Sequence, residues 1–362
     1  MNLIEARAKF SAQKAAHEMR GAYLGSVSAY LPPECRQDDR MAMDAEPTLF
    51  TDPSSSVPAM LTTFIDPQVY KILFAANKAA QILGEVRKGT WVDQTAMFPT
   101  AENTGEVSSY GDYSENGNAG VNAIWPQRQS YLFQVMLEYG ELEVARADLG
   151  RINWITELQG SCAMVLNKFS NLTYFYGVGG LQNYGLFNDP NLPAAITPAP
   201  KAYGGTAWIV NNQIKATANE VYNDILALFS QLVAQSDGLI EGTDKMVLAM
   251  SPGSAVALKA TNSFNVQAGE LIKENFPGIR IETAVQYGLL SASNSQGQQA
   301  GNLVQLIAET TEGQDTGYCA FNEKMRSHKL IPATSSYKQK QTAGTWGAVI
   351  RQPFAFAQMV GV

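Results

Sequence analysis

Between residues 151 and 176 an apolar side chain recurs at every third or fourth position: Ile152, Ile155, Leu158, Cys162, Leu166, Phe169, Leu172 and Tyr176. That period is the stripe along one face of a helix, and no proline interrupts the chain between Pro126 and Pro190. The pattern predicts a helix over about residues 151–176, roughly 39 Å long at 1.5 Å per residue. A shorter helix in ELEVARADLG leads into it with a bend at Gly150, and Gly177 supplies the left-handed turn that ends it.

The segment before these helices, SYLFQVMLEYGELE, alternates Tyr131, Phe133, Val135, Leu137 and Tyr139 with Ser130, Leu132, Gln134, Met136 and Glu138. Period two with aromatic and branched residues predicts a strand. Residues 84–130 are different in kind. They are rich in Gly and Asn and poor in large aliphatics, yet Trp91, Phe98, Tyr110, Tyr113 and Trp125 punctuate them. A structureless loop of that length is uncommon inside a compact domain. The expected form is a long two-stranded excursion with a soft tip around Gly111–Gly120. An isolated hairpin is marginal in water, so this one needs a surface to lie on, in its own domain or on another subunit.

After the long helix comes FYGVGGLQNYGLFNDPNLP, residues 175–193, with Gly180 and Gly185 five apart. A phosphate-cradling loop of that spacing needs Lys and then Ser or Thr after the second glycine; here Leu186 and Phe187 stand there. A dinucleotide fingerprint begun at Gly177 and Gly179 needs glycine where Gln182 stands. The glycines stop a helix and turn the chain, and Asn188-Asp189-Pro190 continues the turns.

Residues 194–215 are rich in Pro and Gly, and the pattern then becomes α/β. NEVYNDILALFSQLVAQS and NVQAGELIKENFP read as helices, and KMVLAMS, RIETAVQYG and NLVQLIAET as strands. This block, about 216–330, is expected to form a compact second domain with a small sheet, with Ser291–Gly301 as a flexible polar loop at its tip. In the tail, Trp346, Ala348 and Ile350 alternate with Gly347, Val349 and Arg351, and Phe354 and Phe356 resume after Pro353. The reading is a terminal strand that returns to close the sheet of the first domain, with Pro353 at an edge or bend. At the other end, residues 1–22 are compatible with a helix, 26–58 read as an extended arm, and Asp66-Pro67 opens a short helix toward Gly84.

Chemistry is scarce. His17 and His328 are the only histidines, neither with a metal-spaced partner, and Cys35, Cys162 and Cys319 are far apart. The cysteines read as free thiols. Asp38-Asp39 and Glu141-x-Glu143 read as solvated or helix-dipole acids rather than an acid–base pair. No catalytic, cofactor or metal residue is assigned, and the chain does not read as an enzyme. Its formal charge is −7, with 33 acidic against 26 basic residues, which argues against gripping a phosphate backbone as the main task. The densest basic stretch, Lys324 to Lys329, reads as a solvated edge. No run approaches 18 apolar residues, and the N-terminus lacks the apolar core of a secretory signal, so the expected compartment is the cytoplasm.

The order of these parts, together with the phrases YGELEVARADLG, FYGVGGLQNYGLFNDPNLP and KQKQTAGTWGAVIRQPFAFAQMVGV, resembles the major capsid proteins of tailed bacteriophages, whose HK97-type fold is shared with encapsulins. The likeness covers about residues 57–362. It implies an α+β capsid fold: an N-terminal arm over 1–56, a peripheral domain over 57–83 and 131–199 with spine helix 151–176, an extended loop over 84–130, an inserted axial domain over 200–330, and return strands over 331–362. It further implies a structural subunit of an icosahedral head that assembles into pentamers and hexamers around double-stranded DNA. The extended loop would overlie a neighbouring subunit, with Trp91, Phe98, Tyr110, Tyr113, Trp125 and Arg128 as assembly contacts. The implied partners are further copies of the chain, a separate scaffolding protein, a portal and a decoration protein, with no cofactor and no membrane. Lys88 lies near the base of the loop, but no cross-linking partner is identified for it. The alternative is an encapsulin-like compartment holding an enzyme cargo; an α/β enzyme comes third.

Overall fold

The computed structural model describes residues 77–150, 152–291 and 294–362. The arm over 1–56, the helix start at Asp66-Pro67, His17, Cys35 and Asp38-Asp39 lie outside these residues. Helix α1 (Ala79–Leu83) leads into strand β1 (Glu85–Arg87). Four strands then run out and back: β2 (Thr95–Met97), β3 (Thr100–Glu106), β4 (Asn118–Ile124) and β5 (Gln127–Gln129). Strand β6 (Tyr131–Gly140), helix α2 (Glu141–Leu149) and helix α3 (Trp154–Tyr176) follow. Helix α3 begins three residues later than its apolar period suggests because Asn153 caps it, its side chain accepting from the Thr156 N–H at 3.2 Å.

The next block holds the small hairpin β7 (Ile209–Val210) and β8 (Gln213–Ile214), then α4 (Ala218–Gln235), β9 (Met246–Met250), α5 (Pro252–Ala255), α6 (Ala268–Asn275), β10 (Ile279–Thr283) and β11 (Leu303–Ala308). The chain closes with β12 (Thr310–Thr311), β13 (Gln314–Asp315), β14 (Gly317–Ser327), β15 (Ile331–Pro332), β16 (Ser336–Ile350) and β17 (Phe356–Val360).

Two sheets organise these elements. In the first, β1 lies parallel to β14, and β14 pairs antiparallel with β16. The N-terminal half of β16 pairs with β6 in ten rows, from Ser336 opposite Gly140 to Thr345 opposite Tyr131. The side chains of β6 alternate as their period demands. Phe133 and Tyr131 pack at a tilt on Phe169 of α3, at 4.5 and 5.9 Å between ring centroids, and Leu137 and Tyr139 pack with Cys162. Leu132, Gln134, Met136 and Glu138 are left facing solvent. The spine helix is therefore held by a strand of matching pattern.

The second sheet runs β10-β9-β11-β17. All five residues of β9 are buried, as expected for a central strand covered on both faces. Helix α4 lays Val221, Ile225, Leu228 and Leu232 into the same core, each fully buried and contributing about 1.5–3 kcal/mol. Its N-terminus is a capping box. The Thr217 hydroxyl accepts from the Glu220 N–H, and the Glu220 carboxylate accepts from the Thr217 and Ala202 N–H groups. Those backbone donors hold the Glu220 carboxyl below its usual pKa. Asp224 also points into this core, where Lys201 Nζ at 2.5 Å and Trp208 Nε1 at 2.6 Å satisfy it.

Sheet membership differs from the sequence reading at two places. Strand β14 falls inside the block read as the second domain, yet it pairs with β1 and β16 in the first sheet. The tail was expected to close the first sheet; its Trp346–Ile350 part does so as the end of β16, paired with β14, whereas β17 joins the second, opposite β11 from Leu303–Val360 to Ile307–Phe356. The cause is local. Pro353 opens a short 3-10 turn over Pro353–Ala355 that carries the chain from one sheet to the other. One buried cluster consequently spans both, from Phe175 and Cys319 to Leu248 and Met359. The polar stretch after Ser291 is also more tied than expected: Asn294 donates to Val285 O and Leu289 O, and Gln298 to Gln286 O.

Candidate assembly site

Strands β2 to β5 form one long excursion from the first sheet. At its base β2 pairs with β5, Thr95 opposite Gln129, and beyond Pro99 and Pro126 β3 pairs with β4 in seven rows. The base is anchored. Phe98 is buried with Tyr318, Ala320, Trp346 and Val349, and Trp346 Nε1 donates to Lys88 O at 2.9 Å. Trp91 lies against the sheet, with the Arg326 guanidinium 4.3 Å from its ring and His328 edge-on at 6.0 Å; cation–π contact of this kind is worth about 0.5–2 kcal/mol.

A second anchor comes from the turn after α3. The helix ends at Gly177, whose φ of +62° supplies the left-handed cap. The chain then folds back so closely that a Cβ on Gly177 would sit 2.3 Å from Asn183 O. Asn183, fully buried, donates through Nδ2 to Gln129 O at 3.0 Å and Thr345 O at 3.1 Å. Gln129 and Gln182 exchange two further hydrogen bonds, from the Gln129 N–H to Gln182 O and from the Gln182 N–H to Gln129 Oε1. Strand β16 meets this turn at Gly347, with φ +78° and space for a Cβ only 2.2 Å from Tyr184 O. Last, Arg128 of β5 reaches Asp189 at 2.5 Å with both side chains buried, and its guanidinium lies 4.6 Å from the Tyr184 ring centroid. Hairpin base, helix end and β16 are thus joined by buried polar bonds.

Among the described residues the outer part, β3 and β4, has no such support. All fourteen of its residues are exposed. Register divides its faces: Thr100/Ile124, Glu102/Asn122, Thr104/Gly120 and Glu106/Asn118 are on one, and Ala101/Ala123, Asn103/Val121 and Gly105/Ala119 on the other. Tyr110 and Tyr113 at the tip are over 90 % exposed, and Trp125 is 62 % exposed. Between residues 99 and 127 there are four carboxylates, Glu102, Glu106, Asp112 and Glu115, and no Lys or Arg.

The six residues named as assembly contacts therefore separate. Tyr110, Tyr113 and Trp125 are presented outward, whereas Phe98 and Arg128 are turned into their own subunit and Trp91 is half-covered. Glu141 and Glu143 occupy the first turn of α2, where Glu143 accepts from the Gly140 N–H at 3.3 Å. Cys162 and Cys319 are buried free thiols, pushed above their usual pKa by desolvation. Among the described residues no cluster of His, Cys, Asp or Glu could hold a metal ion, and no helix is long and apolar enough to cross a membrane. The sequence reading missed Asn183, Asp189 and Gly347 as the fastening of the hairpin. The Asn-Asp-Pro turn was visible, but its partner Arg128 is 61 residues away.

This architecture is that of HK97-type phage capsid proteins. The chain aligns with a chain in the structure of the capsid of Myoviridae phage XM1 at a TM-score of 0.65 and 13% identity, over 85% of this chain and 100% of that one. With the capsid of the empty GTA particle the TM-score is 0.53 at 10% identity, covering 84% of this chain and 98% of the other. With a structure from Gordonia phage Cozz it is 0.52 at 11% identity, covering 82% and 90%. No curated protein sequence matches. The family model of the Pa193 gp26 major capsid protein matches residues 48–361, and the chain belongs to that family. It is a structural subunit of a phage head, with its place in the virion capsid. The encapsulin alternative is not favoured.

Proposed function

We propose that copies of this chain close into an icosahedral head of pentamers and hexamers around double-stranded DNA, and that the hairpin over residues 95–129 lies on a neighbouring copy. The observation that supports this most is the contrast within the hairpin. Its base is clamped by buried groups, while β3 and β4 expose every residue. Two strands without a third are marginal in water, so such a blade gains stability when a second copy covers it. The exposed rings Tyr110, Tyr113 and Trp125 provide apolar area for that contact. The similar structures include those of the phage XM1 capsid and of the capsid of the empty GTA particle, which supports self-association here. In this reading the first sheet with α3 is the peripheral part and the second sheet the axial part, and the role is structural rather than enzymatic. A scaffolding protein, portal and decoration protein remain the proposed partners.

The test is negative-stain electron microscopy of the full chain and of a variant lacking residues 100–122, each with and without a scaffolding partner. The expected result is closed shells from the full chain, and from the variant a folded subunit that forms none. Normal shells from the variant would remove the hairpin from assembly.

A further inference from the structure

Of the basic stretch at the end of β14, only Arg326 and His328, which hold Trp91, have a place in the hairpin's anchoring. Residues 323–340 contain Lys324, Arg326, Lys329, Lys338 and Lys340 against a single acid, Glu323. The fold gathers Arg326, Lys329, Lys338 and Lys340 at one corner of the first sheet, while Lys324 reaches Glu85 on the side of α3. The His328 N–H donates to Lys340 O, Gln339 Nε2 to His328 O, and Ile331 is opposite Lys338. Lys338 and Lys340 share a face with Glu138 and Met136 of β6, the face turned away from α3.

Neighbouring carboxylates answer only part of this charge. Lys324 pairs with Glu85, Arg326 with Glu323 at 3.7 Å, and Lys338 with Glu138 at 2.8 Å. Among the described residues Lys329 and Lys340 have no carboxylate within 4 Å. The corner keeps an excess of cations in a chain whose net charge is −7. Apolar side chains lie around it: Ile331 is 62 % exposed, Met136 54 % and Leu132 45 %.

The hairpin is the complement of this corner. It carries four carboxylates and no cation between residues 99 and 127, and Glu102 and Glu106 share one face with Ile124. We infer that the acidic face of one copy's hairpin docks on the cationic corner of a second copy, Glu102 and Glu106 opposing Lys329 and Lys340. The match is of charge and of apolar patches together, which sets register and encounter rate as well as attraction. The inference rests on the proposed overlap of hairpin and neighbour, and names the surface that receives it.

Two charge-reversal pairs test it in the full chain: Lys329→Glu with Lys340→Glu, and Glu102→Lys with Glu106→Lys. All four positions are solvent-accessible and outside the core, so melting curves should match the parent. Each pair should lower the shell yield, read by sedimentation and microscopy, at least about tenfold, and the four changes combined should restore it to within about threefold. Carbodiimide treatment of shells from mixed isotope-labelled and unlabelled chains should join hairpin carboxylates to Lys329 or Lys340 of a different copy. Cross-links to other lysines, or no rescue in the combined variant, would overturn the inference. So would normal shells with altered DNA content, which would make the corner a DNA-facing surface. Loss of residues 100–122 separates the two levels. If that deletion assembles normally the overlap itself fails; if it blocks closure while the reversal pairs assemble, only the docking surface fails.

Discussion

Removing Asp189 should loosen the hairpin without touching any of its strands. Asp189→Ala leaves the Arg128 guanidinium buried, with 7 % of its side chain exposed, and without its carboxylate 2.5 Å away. Breaking a buried pair from one side costs about 3–5 kcal/mol, because the remaining charge is left uncompensated. Unfolding entropy near 2.1 cal/mol/K per residue, over the roughly 280 described residues, converts this to a fall in Tm of about 5–9 °C. Arg128→Ala should cost somewhat more, since it also removes the guanidinium from the Tyr184 ring. The double variant should be less destabilised than the sum of the two, with a coupling of at least about 2 kcal/mol. Calorimetry gives the three values. Hydrogen exchange at β2 and β5 should show the protection lost there first, while β9, buried at every residue, keeps its own. A Tm shift below about 1.5 °C in Asp189→Ala, or additive single effects, would refute the argument that this pair fastens the hairpin.

The other predictions follow from the same geometry. Gly347→Ala places a Cβ 2.2 Å from Tyr184 O at a φ of +78°, whereas Gly180→Ala, at +76°, meets nothing within 4 Å. The second should cost about 1–2 kcal/mol of backbone strain and the first well beyond that, visible as a difference in Tm or soluble yield. Phe98→Ala should lose about 3–5 kcal/mol from its buried cluster. Tyr110→Ala, Tyr113→Ala and Trp125→Ala should each stay within about 0.5 kcal/mol in the free subunit and lower shell yield instead. Cys162 and Cys319 should resist iodoacetamide at pH 8 in the native chain and react on unfolding, as burial and raised pKa both suppress the thiolate; alkylation mapped by peptide mass spectrometry to either of these two residues before unfolding would count against it. Acid should fray the start of α4. Glu220 has a lowered pKa, so its capping contribution is present above its unfolded value and is lost as pH falls through the lower folded one. Glu220→Gln should abolish that pH dependence in the exchange rates of its first turn.

Periodicity made the long elements legible. The stripe from Ile155 to Tyr176 marked α3, and the alternation from Tyr131 to Tyr139 marked β6, because each side chain's environment is set by a neighbour of fixed period. The excess of glycine and asparagine with few aliphatics identified the hairpin, and the observed strands flank a loop at 107–117 close to the expected tip. What could not be read was which sheet a strand joins. β14 and β17 carry apolar patterns that suit either sheet, and their places depend on partners far away in sequence, such as Glu85 for Cys319 and Leu303 for Val360. The fastening of the hairpin was hidden for the same reason. A lone asparagine such as Asn183 has no periodic signature; it matters because two carbonyls from β5 and β16 converge on it. Aromatic residues were visible as residues but not by direction, so Phe98 and Tyr113 looked alike until burial separated them.

That separation bears on how a head can assemble without premature association. Exposed β3 and β4 have little of their own to hold them together, since neither face covers a core. In the proposed overlap their ordering is completed by the neighbouring copy, and the entropy of ordering is charged against the contact. A single contact between two copies is then weak. Clamping only the base, through Arg128, Asn183 and Phe98, limits the region the blade can search and, in the proposed overlap, would raise its effective concentration near a neighbour held by other contacts. Closure multiplies such contacts by symmetry. Substitutions in the clamp and in the blade should therefore differ in kind: the first lower the stability of the free subunit, and the second leave it intact and lower the cooperativity of assembly.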